Sequence, residues 1–356
     1  MAFCTKSQRK TSFIIIFGEF IMKKKLTYII IFTTILFITF FVIKQKNRQI
    51  GINNTKLQVC IMQIAPHPSL DKIKQGIEHA LQQSPLSKKI DIKFQNAQGN
   101  PALSTQIAQQ FVSTKADIII PITTLCALNA YQAAHPQHIP VVFSAVTDPK
   151  SCKLSLDNKQ SIEGITGISD FMNPEIQIQF LKDLFNGKKY KKIGTLYNIG
   201  EQNTVTQIEE FEKKLTNTDF SLKKIPVHQT IDINQAALKL CESCDFILIL
   251  NDNMVVSSMP QILQIAKEKK IPVIATDPES VDLGALAALA FDQFEIGKQT
   301  GELALKVLEG KKPESFNIEG AKVLNIYFNE EVAKTFDIKK PQQQENIKII
   351  MRGEKS

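Results

Sequence analysis

From Leu57 onward, apolar positions fall into short continuous runs that alternate with helical spacing. Leu57–Ile64, Ile90–Phe94, Ile118–Ile120 and Val141–Phe143 read as strands, because continuous apolar runs suit parallel strands covered on both faces. Between them, Leu70, Ile73, Ile77, Ala80 and Leu81 recur at three and four, as do Leu103, Ile107, Ala108, Phe111 and Val112. These predict helices, with a third around 125–134. The pattern then restarts. Strands are expected at Ile193–Tyr197, Leu222–Val227, Phe246–Leu250 and Val273–Ala275, and helices at Val205–Leu215, 234–241 and 255–268. Strict βα alternation implies doubly wound parallel sheets with right-handed crossovers.

The two halves also echo each other. Asp117 precedes Ile118-Ile119-Ile120, and Asp245 precedes Phe246-Ile247-Leu248. Ile139-Pro140-Val141 leads to Thr147-Asp148-Pro149, and Ile271-Pro272-Val273 leads to Thr276-Asp277-Pro278. Two matched features in the same order point to an internal duplication and two facing α/β lobes. Ile162–Ser169 and Ala285–Phe291 read as crossings between lobes. The helix carrying Ile296, Thr300, Leu303 and Val307 should pack back on the first lobe. Lobe 1 is then expected over 56–166 and 289–318, lobe 2 over 167–288 and 319–338, and a loose polar tail over 339–356.

Before the globular part, Lys23-Lys24-Lys25 precedes an apolar run from Leu26 to Ile43 that Lys44 closes. The run is near the lower limit for a spanning helix and long for a signal-peptide core. No small-x-small cleavage site follows it, and no Cys close enough for a lipid anchor. Segment 22–45 therefore reads as a membrane anchor with its basic end in the cytoplasm, or else as a signal peptide cleaved at an unusual site. Residues 1–21 sit oddly before it. Met22 would begin a conventional targeting sequence, so 1–21 reads as a leader upstream of the true start. Residues 46–55 read as a linker.

Composition narrows the classes. The 356 residues are 43% hydrophobic and 22% charged, enough apolar content for a large core. The net charge of +8 is spread through helices and tails, without the basic stripe interleaved with aromatics that nucleic-acid binding calls for. Cys241-x-x-Cys244 follows Ala236, Ala237 and Leu240, so it falls at a helix C-terminus, where a redox motif is not expected. It reads as buried thiols or a local disulfide. His135-x-x-His138 lies among prolines and lacks a second ligand pair, so no metal site is expected. Phosphate-binding loops, dinucleotide fingerprints and nucleophile elbows are missing, so no cofactor and no catalysis are expected.

In open α/β sheets ligands meet the loops at the carboxyl ends of strands. Those loops hold Ala65–Ser69, Pro121–Thr124, Ser144–Asp148, Asn198–Thr204, Asn251–Asn253 and Thr276-Asp277. They are rich in hydroxyls, amides and carboxylates and precede helices. Thr123, Thr124, Asn203 and Thr204 are placed to cap helices whose free N–H groups would hold a ligand carboxylate. Asp252 and Asp277 are acceptors for an ammonium group. One anionic and one cationic end describe an amino acid.

The same loops resemble a known family. Ile64-Ala65-Pro66-His67-Pro68-Ser69, Phe94–Asn100, Val142–Pro149, Gly164–Asp170, Asp252–Ser258, Gly284–Ala287 and Ile296–Gly301 match, in order, the ABC-transporter substrate-binding proteins that include bacterial tryptophan/tyrosine receptors. The resemblance implies a type I periplasmic-binding fold with three crossings and a ligand closed between lobes by hinge motion. It also implies a monomeric, extracytoplasmic receptor with a permease and an ATPase as partners. It points to Thr123, Thr124, Thr147, Glu201, Asn203, Asp252 and Asp277 as ligand-binding residues, and to aromatic amino acids as ligands. Tyr131, Phe171, Tyr197 and Phe291 are then candidates to stack on an aromatic ligand. Two departures stand out. Such receptors usually carry a lipoprotein Cys or a cleavable signal, and Ile199 replaces a hydroxyl in the family's Asn-Ser-x-Glu-x-Asn-Ser loop. The alternative function is a membrane-anchored ectodomain that senses a ligand.

Overall fold

The computed structural model describes residues 56–157, 159–342 and 347–352. Segments 1–21, 22–45 and 46–55 lie outside these residues. Among the described residues, no helix is long and apolar enough to cross a membrane.

Two sheets form. In the first, β1 (Leu57–Gln63), β2 (Ile90–Asn96), β3 (Ile118–Ile122), β4 (Val141–Ser144) and β5 (Ile165–Ser169) lie in the order β2-β1-β3-β4-β5, all parallel. A two-residue strand, Glu319–Gly320, closes its edge beside β5. In the second sheet, β6 (Lys192–Asn198), β7 (Ser221–Val227), β8 (Phe246–Leu248), β9 (Val273–Ala275) and β10 (Ala287–Phe291) repeat that order as β7-β6-β8-β9-β10. β10 then pairs antiparallel with the strand Leu324–Asn329. The doubled pattern of the sequence is thus a doubled topology. Each sheet is buried on both faces, which accounts for its unbroken apolar runs.

The repeated aspartates have a shared task. Asp117 Oδ2 accepts from Gln58 N at 2.7 Å, and Asp245 Oδ2 accepts from Lys191 N and Lys192 N at 2.7 and 2.8 Å. In each half, the residue before the third strand pins the start of the first strand. Thr-Asp-Pro is likewise a cap in both halves: Asp148 Oδ1 accepts from Ser151 N and Asp277 Oδ1 from Ser280 N, three residues on.

The helices begin where local chemistry requires. Pro68–Gln82, Pro101–Ser113 and Pro174–Leu184 each carry Pro at the first turn, where its missing N–H costs nothing, behind a side-chain cap from His67, Asn100 or Asn173. The last of these helices was not expected, although Asn173-Pro174 is a start signal. The expected helix 255–268 is two helices, Asn253–Ser257 and Met259–Lys269, separated at Ser258. Pro260, whose ring cannot sit deep in a helix, is accommodated in the first turn of the second.

Three connections join the sheets: after Ser169, after Phe291 and after Gly320. The second leads into Gln293–Leu308, which packs against Pro68–Gln82 through glycines. A Cβ on Gly297 would stand 1.9 Å from Ile73 O, and one on Gly76 would stand 2.1 Å from Phe294 O. Ser144 Oγ and Thr300 Oγ1 share a buried hydrogen bond of 2.8 Å across the same contact. This helix therefore docks on the first sheet, as its apolar spacing requires.

The tail expected to be loose over 339–356 contains a strand. Lys348–Arg352 pairs in parallel with Leu324–Asn329, because Ile347 and Ile349 pack on the second core. Arg352 lies over the Tyr327 ring and pairs with Asp282 at 3.2 Å. Cys241 and Cys244 are buried thiols without a disulfide, and burial pushes Cys241 up to about 11.

The close helix pair gives a direct test. Gly297→Ala should lower unfolding free energy by about 3 kcal/mol, because the opposing atom is backbone and cannot swing away. Urea denaturation measures it. An unchanged midpoint would mean the two helices do not approach this closely.

Candidate functional site

Both sheets reverse strand order at the same place, between the first and third strands of each half. Loops leaving adjacent strands at such a point diverge and leave a crevice. The two crevices face each other and line a partly open cavity of about 70 Å³.

Six of the seven expected residues line it: Thr123, Thr124 and Thr147 from the first sheet, and Asn203, Asp252 and Asp277 from the second. Glu201 does not. Its carboxylate is turned inward and accepts from Asn253 N at 3.0 Å, Asn253 Nδ2 at 2.7 Å and Met254 N at 3.1 Å. Glu201 therefore ties the loop after β6 to the loop after β8. Burial, reinforced by the Asp252 charge, raises its pKa to about 7.

Asp252 also works locally. It caps Asn253–Ser257 through Val255 N at 3.0 Å and holds Asn198 N at 2.6 Å, and burial raises its pKa. Asn203 and Thr204 lie inside the helix Gln202–Leu215 rather than before it, and Asn203 Nδ2 and Thr204 Oγ1 both donate to Asn251 O at 2.8 Å, so the expected cap is instead a brace from this helix start to the loop after β8. Asp277 Oδ2 accepts from Ser280 Oγ at 2.6 Å.

Four cavity features went unforeseen. Asp170, just beyond β5, accepts from Thr147 Oγ1 at 2.8 Å and from Asn251 Nδ2 at 3.0 Å, so one carboxylate spans the two halves. Burial raises its pKa. Ser69 donates across the cleft to Glu279 Oε2 at 2.5 Å and lies 3.4 Å from Asp277 Oδ1. Burial raises the Glu279 pKa too. His67 caps Pro68–Gln82 by accepting from Ser69 N at 3.2 Å on Nδ1, while its buried Nε2 has no partner. Thr123 Oγ1 is likewise buried, with only the weak Cys126 thiol beside it. Thr123 adopts φ 80°, ψ 165°, a region almost restricted to glycine, so this side chain is held under strain at the cavity wall. His-Pro before a helix was a usable signal for His67. Nothing local marks Asp170, whose partners lie 23 and 81 residues away.

The expected aromatic stackers do not reach the cavity. Tyr131, Tyr197 and Phe291 pack against the sheet cores, and Phe171 is exposed. The apolar part of the wall comes from aliphatic side chains, among them Leu70, Ile73 and Val256. Ile199, the departure from the family loop, is half-exposed and outside the cavity.

Residues 58–349 match the family described as ABC transporter substrate binding protein. The chain belongs to this family. A tyrosine-binding protein of Clostridioides difficile is 35% identical over 313 residues, which span 87% of this chain and 86% of that one. Among solved structures, a Streptococcus pneumonia ABC domain in complex with L-Trp superposes with a TM-score of 0.76 at 26% identity, covering 83% of this chain and all of that one. A ligand-free, open substrate binding protein with adhesive properties from Clostridium difficile gives 0.64 at 32% identity, covering 83% and 99%. The family and these neighbours are solute-binding proteins, not enzymes. The open structure is closer in sequence yet farther in shape. In this chain the Ser69 and Asp170 bonds cross the cleft and join the two halves.

Glu201 yields a pH test. Its folded-state pKa of about 7 lies above the ordinary 4.5, so the folded chain binds more protons than the unfolded one between those values. Its contribution to stability is therefore greatest below pH 4.5 and is lost as pH rises towards 7. Glu201→Gln should flatten this part of the stability profile. Urea midpoints at pH 4.5, 6 and 7.5 measure it, and parallel wild-type and variant profiles would refute the assignment.

Proposed function

We propose that this chain is the extracytoplasmic receptor of an ABC importer. It takes up a zwitterionic amino acid between its two halves and presents the closed form to a permease driven by an ATPase. The observation that carries this reading is the polarity of the cavity. One wall holds helix N-termini and hydroxyls, which suit a carboxylate. The other holds Asp252 and Asp277, which suit an ammonium group. Both already accept local hydrogen bonds, Asp252 from Asn198 N and Val255 N and Asp277 from Ser280 N and Ser280 Oγ, so the ammonium would use their remaining lone pairs.

Binding at Thr123, Thr124, Thr147, Asn203, Asp252 and Asp277 follows, with Glu201 acting behind them as a brace. The tyrosine-binding relative and the L-Trp-bound neighbour support an amino-acid ligand, and an aromatic one first. A ring would lie against Leu70, Ile73 and Val256 rather than stack on Phe or Tyr. Hinge motion at the three connections would open and close the cleft. Residues 26–43 would keep the receptor at the membrane surface, with the binding part outside and monomeric.

Thermal-shift measurements on residues 52–356 against the proteinogenic amino acids test the reading, since a ligand of the folded state raises the melting temperature by mass action. A rise with tyrosine, tryptophan or phenylalanine is expected. Asp277→Asn should weaken the best ligand by about 1–3 kcal/mol, the value of a charge-assisted hydrogen bond. No response to any amino acid, with a rise from another class of metabolite, would keep the receptor and overturn the zwitterion.

A further inference from the structure

Two polar atoms on the first-sheet wall of the cavity are buried: His67 Nε2, which has no partner, and Thr123 Oγ1, which has only the weak Cys126 thiol beside it. Their residues are 7% and 6% exposed, so water does not readily satisfy them. Leaving a buried donor or acceptor empty is costly, and native proteins rarely do so without a ligand or water to fill the place.

The ring's hydrogen bonding fixes what His67 offers. Nδ1 accepts the Ser69 N–H, so its lone pair is in use and the proton of the neutral ring resides on Nε2. Burial lowers the His67 pKa, which keeps the ring neutral at physiological pH. His67 therefore presents one N–H donor of fixed direction. Beside it, the eleven-residue helix Thr124–Ala134 begins without a side-chain cap, because the Thr123 backbone holds its hydroxyl away from that role. An uncapped N-terminus leaves free N–H groups and partial positive charge. Acidic side chains at the cavity come from the opposite wall and from Asp170, which Thr147 and Asn251 already occupy.

Taking the amino-acid reading above as its basis, we infer that His67 Nε2–H and Thr123 Oγ1–H donate to the ligand's α-carboxylate at the start of helix Thr124–Ala134. The ligand is thereby oriented with its carboxylate on the first half and its ammonium on the second. The cap of Pro68–Gln82 and the recognition of the carboxylate are two ends of one imidazole. Any tilt of that helix start moves the donor. His67 is thus a specificity-determining contact for a free carboxylate.

His67→Asn in the full chain tests this. Asn keeps the helix cap but is too short to supply the second donor. Isothermal titration would use L-tyrosine, or the amino acid that outranks it in the screen above, together with its α-amide. The variant should bind the amino acid about 10- to 100-fold more weakly while losing much less for the amide, since hydrogen bonds to charged groups are the stronger ones. Thr123→Val should act in the same direction. In ¹⁵N-histidine spectra, wild-type His67 should show the Nε2–H tautomer, with its proton moving downfield on ligand addition. Equal losses for amino acid and amide, or an unmoved Hε2 resonance in a ligand-saturated wild type, would overturn the inference alone. A wild-type chain that binds no amino acid would overturn the zwitterion reading and this inference with it.

Discussion

Burying an acidic side chain is tolerated only when donors are aimed at it, and the cleft depends on this condition. Glu201, Asp252 and Asp277 lie at the carboxyl ends of the second sheet; Glu201 and Asp252 are held by backbone N–H groups of a neighbouring loop, and Asp277 by Ser280 N of its own turn. The acids hold the loops in place, and the donors keep the acids from swinging out. A binding wall built this way is stiff before a ligand arrives, so less ordering is left to offset binding.

Closure uses the same chemistry across the gap. Asp170 joins Thr147 of one half to Asn251 of the other, and Ser69 reaches Glu279. Asp170 sits at the start of the first crossing between the sheets, where a small rotation of the halves changes its distance to Asn251. The structure superposes better on the L-Trp complex than on the open relative. The strand Lys348–Arg352 supports the far side of this wall. Arg352 pairs with Asp282, on the same short helix as Glu279.

The duplicated sequence signals have a physical basis. Asp117 and Asp245 each lock a third strand to a first, and Asp148 and Asp277 each cap the turn after a fourth. Only one member of the second pair reaches the cavity: Asp277 lines it and Asp148 does not. The repeated motif is a folding device that one half uses a second time for recognition.

The alternation of strands and helices, the doubled architecture and the loops that bear the site were legible in the chain. They rest on local signals: continuous apolar runs, three-four spacing, and Pro behind a capping residue. Six of the seven expected residues meet at one cavity because the carboxyl ends of parallel strands are the only ends that face it. What each residue does there was not legible. Whether an acid faces a ligand or a backbone N–H depends on partners about 50 residues away for Glu201 and Asp252, and 210 away for the Ser69–Glu279 contact. Sequence spacing carries no record of such distances. The unpartnered Nε2 of His67 is decided in the same way: the chain specifies a cap before Pro68, and only the packed fold determines that the other edge of the ring finds no hydrogen-bond partner.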